Sequence, residues 1–141
     1  MSLAIYFTVP GDPRGKGRPR FAARGSFVTA YTDAKTLAYE AAIADAGAKA
    51  MGERPALETP VSLRIECHMG VPKSWGKKAR EEALAGYAVP GKPDLDNVAK
   101  AVMDALNGVL YADDKQVCVL RISKQYTLEP RIEIYAYEVL T

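Results

Sequence analysis

Hydrophobic and polar positions alternate from the first residues: Leu3, Ile5, Phe7 and Val9 are separated by Ala4, Tyr6 and Thr8, which predicts a strand with one buried face. The same period of two returns at Val61, Leu63, Ile65, Cys67 and Met69, set against Ser62, Arg64, Glu66 and His68. Between these strands, Thr32 or Asp33 caps an Ala-rich helix running to about Met51, with Leu37, Ala41, Ala44 and Met51 on its buried side. Residues 75–85 read as a short polar helix. A 3.6-residue period through Val98, Ala101, Val102, Ala105, Leu106 and Val109 predicts a helix over 97–107, with Gly108 as its C′ residue. Residues 116–125 and 131–140 form two more strands joined at Leu128-Glu129-Pro130, most simply as a hairpin. The order β-α-β-(α)-α-β-β suits an α+β two-layer sandwich with a mixed sheet.

Length and composition narrow the class. With 141 residues and 48% hydrophobic content, the chain can bury one core, and we expect a single domain over 1–141. There is no 18-residue apolar run and no signal-peptide pattern, so a soluble, cytoplasmic protein without a membrane role is expected. Cys67 and Cys118 fall in predicted strands without metal-ligand spacing; both are expected to be buried free thiols, with no disulfide.

A net charge of +2 decides nothing, but its distribution does. Between Asp12 and Asp33 there is no acid, while Arg14, Lys16, Arg18, Arg20 and Arg24 recur among Pro13, Gly15, Gly17, Pro19 and Gly25. Proline and glycine at that frequency preclude a regular helix, so the segment is expected to be a loop or arm presenting cations to phosphate. A solvated loop is the plain alternative. Lys73, Lys77, Lys78 and Arg80 form a smaller basic group, partly offset by Glu81 and Glu82.

The chemistry is concentrated between Asp94 and Asp114, where five aspartates and Lys100 share 21 positions. Hard oxygen ligands at this density suit Mg²⁺, or Mn²⁺ in its place, and hence phosphoryl chemistry. Asp94 and Asp96 flank the start of the helix; Lys100 and Asp104 follow one and two turns along the stripe that begins at Asp96. After a short turn, Asp113-Asp114 is expected to fold back beside the helix N-terminus, so that Asp94, Asp96 and Asp114 surround a cation with Lys100 nearby. Singly, an aspartate before a helix is ordinarily a cap and Asp-Asp before a strand a solvated turn. Together they would repel unless a cation joined them.

The run Pro93-Asp94-Leu95-Asp96-Asn97, Lys100, Asp104-Ala105-Leu106-Asn107-Gly108 and Asp113-Asp114-Lys115-Gln116-Val117 resembles the signature of the RusA-type endodeoxyribonucleases, the Holliday junction resolvases of bacteria and their phages. Arg64-Ile65-Glu66-Cys67-His68-Met69 and the basic N-terminal segment extend the likeness over nearly the whole chain. The resemblance implies that Asp94, Asp96 and Asp114 are the metal-binding catalytic set, with Asp113 an alternative to Asp114, and that Lys100 is needed for cleavage. It also implies a four-way DNA junction as substrate and a homodimer as the active form. On that reading the aspartates hold one or two Mg²⁺, which activate a water, while Lys100 stabilises the phosphate or positions that water. Asp104 is then an outer member of the site or part of the helix packing.

Other residues carry less. His68, the sole histidine, sits on the polar face of its strand, where a hydrogen-bonded or surface role outweighs catalysis. Trp75 either stacks on a base or covers the core, and Tyr111 beside the acidic turn is equally open. Three alternatives remain: a calcium-stabilised module, which lacks its 12-residue loop here, a metal-dependent phosphatase, and a non-catalytic DNA-binding dimer.

Overall fold

The computed structural model describes residues 4–17 and 20–139. Strand β1 (Ala4–Pro10) leads to a two-stranded ribbon, β2 (Arg20–Arg24) and β3 (Phe27–Tyr31), followed by helix α1 (Ala34–Met51). Strand β4 (Val61–Gly70), helix α2 (Lys77–Leu84), helix α3 (Leu95–Ala105), a 3₁₀ turn (Asp114–Gln116), β5 (Val117–Thr127) and β6 (Arg131–Glu138) complete the order. The main sheet is mixed, ordered β1-β6-β4-β5, with β4 parallel to β5 and antiparallel to β6. Its apolar face carries Ile5, Phe7, Val9, Leu63, Ile65, Cys67, Ile132 and Ile134, all buried. Helices α1 and α3 supply Tyr39, Ile43, Val98 and Val102 to the same core, joined by Leu106 at the C-cap of α3, giving the two-layer α+β sandwich. A fully buried side chain of this kind stabilises by roughly 1.5–3 kcal/mol.

Several expectations need correction. The last two strands are not a hairpin, because β4 lies between β5 and β6. The apolar positions of β4 from Val61 to Ile65 are fully buried, which demands an interior place, whereas β5 is largely exposed and suits an edge. The connecting loop crosses the end of β4, where a Cβ on Gly70 would stand 3.1 Å from Pro130 Cγ. In α1 the buried side is Thr36, Tyr39, Ile43, Gly47 and Met51, while Leu37 is exposed. Alanines give no periodic signal there, and Gly47 faces inward because a Cβ would lie 2.9 Å from Leu106 Cδ2. The basic arm includes a β-ribbon, since Gly and Pro at its ends exclude a helix but not paired strands. Helix α3 begins two residues earlier than its apolar stripe suggested, at Leu95, with Asp94 as its N-cap after Pro93. Cys67 is buried, but Cys118 on edge strand β5 is exposed; both are free. Leu3 lies outside the described residues.

Candidate active site

Helix α3 presents the acidic motif because its apolar stripe is committed elsewhere. Val98, Ala101 and Val102 are buried, so Asp96 and Lys100, one turn apart, face outward. Asp94 occupies the N-cap position with extended backbone (φ −69°, ψ 149°), yet its carboxylate makes no cap hydrogen bond. Capping aspartates in this molecule look different. Asp33 accepts the Thr36 N–H at 2.8 Å, and Asp113 accepts the Lys115 N–H at 2.9 Å while Gln116 reaches back to the Asp113 N–H. Asp94 is therefore a carboxylate at the positive end of a helix that is not spent on closing it. Lys100 makes no hydrogen bond or ion pair among the described residues, which leaves its ammonium available.

Asp114 is elsewhere. Its N–H donates to Asn107 Oδ1 at 2.8 Å, and Asn107 Nδ2 lies 3.5 Å from its carboxylate, so it is tied to the C-terminal end of α3. From Asp96 to Ala105 the helix alone rises about 14 Å at 1.5 Å per residue. The expectation that the acidic turn folds back beside the helix N-terminus is thus not met within this chain. The turn is fixed by its own packing: Gly108, at φ +76°, donates to Tyr111 O at 2.7 Å, and the buried Tyr111 hydroxyl donates to Met103 O at 2.8 Å. Burial, then the charges of Asp114, Asp104 and Asp113, push the Tyr111 phenol far above its ordinary range. Tyr111 is therefore core, settling one open reading. The Lys115 N–H, donating to Asp113 Oδ1, holds the Asp113 carboxyl below the usual carboxylate range, so Asp113 serves the cap.

The segment expected to reach for phosphate is stapled down in its first half. Gly11 N–H bonds Pro130 O at 3.0 Å, Asp12 Oδ1 accepts the Gly70 N–H at 2.8 Å, and Lys16 N–H bonds Asn97 O at 2.9 Å. Gly15 presses against α3, since a Cβ there would stand 2.7 Å from Asn97 Cβ. Lys16 Nζ pairs with Asp104 at 2.7 Å and Glu40 at 3.6 Å. The Asp104 hydrogen bond, aided by Glu40, raises its pKa despite burial. Lys16, expected to contact DNA, is engaged as a strut between α1 and α3, with Asp104 as its anchor. Arg14 remains exposed; Arg20 and Arg24 lie at the two ends of β2, and Arg18 lies outside the described residues.

This strap forms one wall of a groove of about 450 Å³ whose lining includes Arg14, Lys92, Asp94 and Asn97. The groove shares Asp12, Pro13 and Lys92 with a larger one, of about 680 Å³, lined in part by Lys73, Arg80 and Tyr126. Lys124 Nζ braces the loop before Asp94 through Gly91 O at 3.1 Å. Trp75 packs edge-on against Tyr126, with ring centres 5.4 Å apart, on the border of that larger groove. The supporting roles of Asn107, Lys16 and Lys124 escaped sequence reasoning. Only Asn107 carried a signal, its place on the helical stripe through Asp96, Lys100 and Asp104.

A second group of carboxylates lies on the helix-free face of the sheet. Glu66, His68 and Glu133 bring ligand atoms within 4.8 Å of one another, the one such trio among the described residues. His68, only 5% exposed, bonds Glu133 at 2.7 Å, and Gln125 stands 3.5 Å from its other ring nitrogen. Arg64 pairs with Glu66 at 2.8 Å, Arg131 with Glu133 at 3.5 Å, and Tyr6 donates to Glu133 at 3.2 Å. Burial raises the Glu133 carboxyl, but the bond and charge of His68, joined by the Tyr6 hydroxyl and the charge of Arg131, outweigh it and leave the pKa below its usual value. His68 thus takes the hydrogen-bonded of its two expected roles, in a buried network and not at the surface.

Residues 10–136 match the family model described as Endodeoxyribonuclease RusA. The chain is also 39% identical, over 138 residues and 96% of each sequence, to the uncharacterized protein YqaN of Bacillus subtilis (strain 168).

Proposed function

The chain belongs to the RusA endodeoxyribonuclease family, which acts on Holliday junctions, and on that premise we propose that it is a homodimer making paired, Mg²⁺-dependent nicks in four-way DNA. Residues 1–141 would act as one nuclease domain. The observation that carries the reading is the outer stripe of α3, where Asp94 and Asp96 are spent on no cap and Lys100 on no ion pair. Exposed carboxylates repel a polyanion, so facing DNA they call for a divalent cation between them and the phosphate.

The donor set fits that cation. Asp94, Asp96 and Asp114 would hold it with hard oxygens; when bound, it activates water and neutralises charge on the phosphate. Lys100, one turn from Asp96, would stabilise the same phosphate. Asp114, at the far end of α3, is too distant to join Asp94 and Asp96 as they stand; the second protomer of the homodimer supplies the missing carboxylate. Two such sites on a two-fold axis would make two matching cuts. Arg14 and Lys92, flanking Asp94 in the groove, would guide the strand. No helix among the described residues is long and apolar enough to cross a membrane, and a DNA substrate argues for the bacterial cytoplasm.

The deciding experiment is a nicking assay on a synthetic mobile junction with and without Mg²⁺. Paired nicks that vanish with chelator, and spare linear duplex of the same sequence, support the proposal. Equal cutting of duplex and junction would defeat it, and hydrolysis of a small phosphate ester without nicking would favour the phosphatase alternative.

A further inference from the structure

The fold treats the two halves of the basic segment differently. Up to Lys16 it is bonded to α1, α3 and the sheet, as described above. Beyond it, among the described residues, β2 and β3 pair only with each other, in the register Arg20 to Tyr31, Phe21 to Ala30, Ala23 to Val28 and Arg24 to Phe27, around a turn with Gly25 at φ +62°. The large side chains of this ribbon stand in water: Phe21 is 69% exposed, Phe27 74%, Val28 68% and Tyr31 46%. An isolated two-stranded ribbon is marginal by itself, and an apolar patch of this kind marks an interaction surface.

Charge selects what covers it. From Pro13 to Thr32 the segment carries five cations and no acid. A second copy seated on this patch across a two-fold axis would set that cationic segment against itself. A nucleic acid strand complements both features, with phosphates for the arginines and base faces for the rings. The register also places an arginine across from an aromatic at each end of the ribbon, Arg20 with Tyr31 and Arg24 with Phe27.

We propose that the β2–β3 ribbon is a stacking finger for the exposed bases at the branch point of the substrate. This rests on the junction reading above and deepens it. Within a duplex the base faces are covered by their neighbours, whereas an open branch point uncovers some of them, so a ribbon of exposed rings discriminates by shape and not by sequence. The strap that leads into the finger lines the groove beside Asp94 at Gly15 and Gly17.

The test compares the wild type with Phe27→Ala/Tyr31→Ala, and with the conservative Phe27→Tyr/Tyr31→Phe. Binding is measured to a four-way junction carrying 2-aminopurine at the branch and to linear duplex, in Ca²⁺ to prevent cutting. The alanine variant should lose about tenfold or more in junction affinity and the fluorescence change at the branch, with duplex affinity held within twofold and dimer mass unchanged. The conservative variant should keep both. Equal loss on junction and duplex, or no loss at all, overturns the stacking finger. Conversion of the alanine variant to a monomer also overturns it and assigns the ribbon to a second copy. If the wild type itself ignores junctions, the functional reading has failed; if the wild type cuts and the variant binds equally well, only the finger has.

Discussion

The two groups of carboxylates in this molecule invite comparison. Glu66 and Glu133 are close together, largely shielded, and already answered by His68, Arg64, Arg131 and Tyr6. Asp94, Asp96 and Asp114 are spread along α3, and the first two answer to no cation among the described residues. Crowding alone would point to the sheet cluster as the metal site. Charge accounting points the other way: a compact cluster survives burial because its neutralising partners are built in, whereas open carboxylates leave their countercharge to come from outside. The first arrangement is structural and the second is available for chemistry.

The largest effect that tests this contrast is on cleavage. Asp96→Asn should lower Mg²⁺-dependent junction nicking by about 10³-fold or more, as expected when several kcal/mol of metal-derived stabilisation are lost at tenfold per 1.36 kcal/mol. Its thermal midpoint should stay within a few degrees. Glu133→Gln should do the reverse, leaving the single-turnover rate within a few-fold and lowering stability; a nuclease-dead Glu133→Gln that remains folded would invert the comparison.

Next in size is a recovery. Mixing inactive Asp96→Asn and Asp114→Asn proteins and exchanging subunits should restore single nicks, because one site of each mixed dimer keeps Asp94 and Asp96 from one protomer and Asp114 from the other. Absence of any restored nicking, with mixed dimers verified by mass, would mean each protomer assembles its own set.

A smaller effect concerns stability. His68→Ala removes the 2.7 Å partner of a nearly buried Glu133, leaving it Tyr6 and Arg131, and should cost about 1–3 kcal/mol in urea unfolding, without altering Mg²⁺ dependence. It should also flatten the acid limb of the stability curve. The folded Glu133 pKa lies below the ordinary value of 4.5, so its contribution is complete above that value and fades as pH falls through the lower, folded pKa. An unchanged acid limb in His68→Ala would show that the pair does not carry it.

The smallest effect separates strut from DNA contact. Lys16→Met should cost about 0.2–1 kcal/mol of stability, as befits a pair partly open to water, and leave the salt dependence of DNA binding unchanged. Arg14→Ala should flatten that dependence, since each phosphate contact adds to its slope.

How much of this was legible in the sequence depends on the range of the information. The buried faces of β1, β4 and β6 follow from local alternation. The neighbour of β6 does not, since Ile65 decides it by being fully buried on β4. The stripe of α1 was misread because alanine fits either side. At the site, residue types gave the chemistry, and Asp96 and Lys100 share a stripe by spacing alone. The position of Asp114 is set by Gly108 and Tyr111, and the fate of Lys16 by Asp104, 88 residues away; no local pattern encodes either.

The sheet order also has a consequence in time. β6, which follows the other described strands in chain order, is interior: among the described strands it is the one that joins β1 to β4, pairing Phe7 with Ile134 and Ile134 in turn with Ile65. The layer on which α3 rests therefore stays in two pieces until synthesis has passed Glu138. Such end-to-end pairing slows folding, and it makes the scaffold of the nuclease all or nothing: a polypeptide stalled before β6 carries every acid of the motif but no completed sheet to support them.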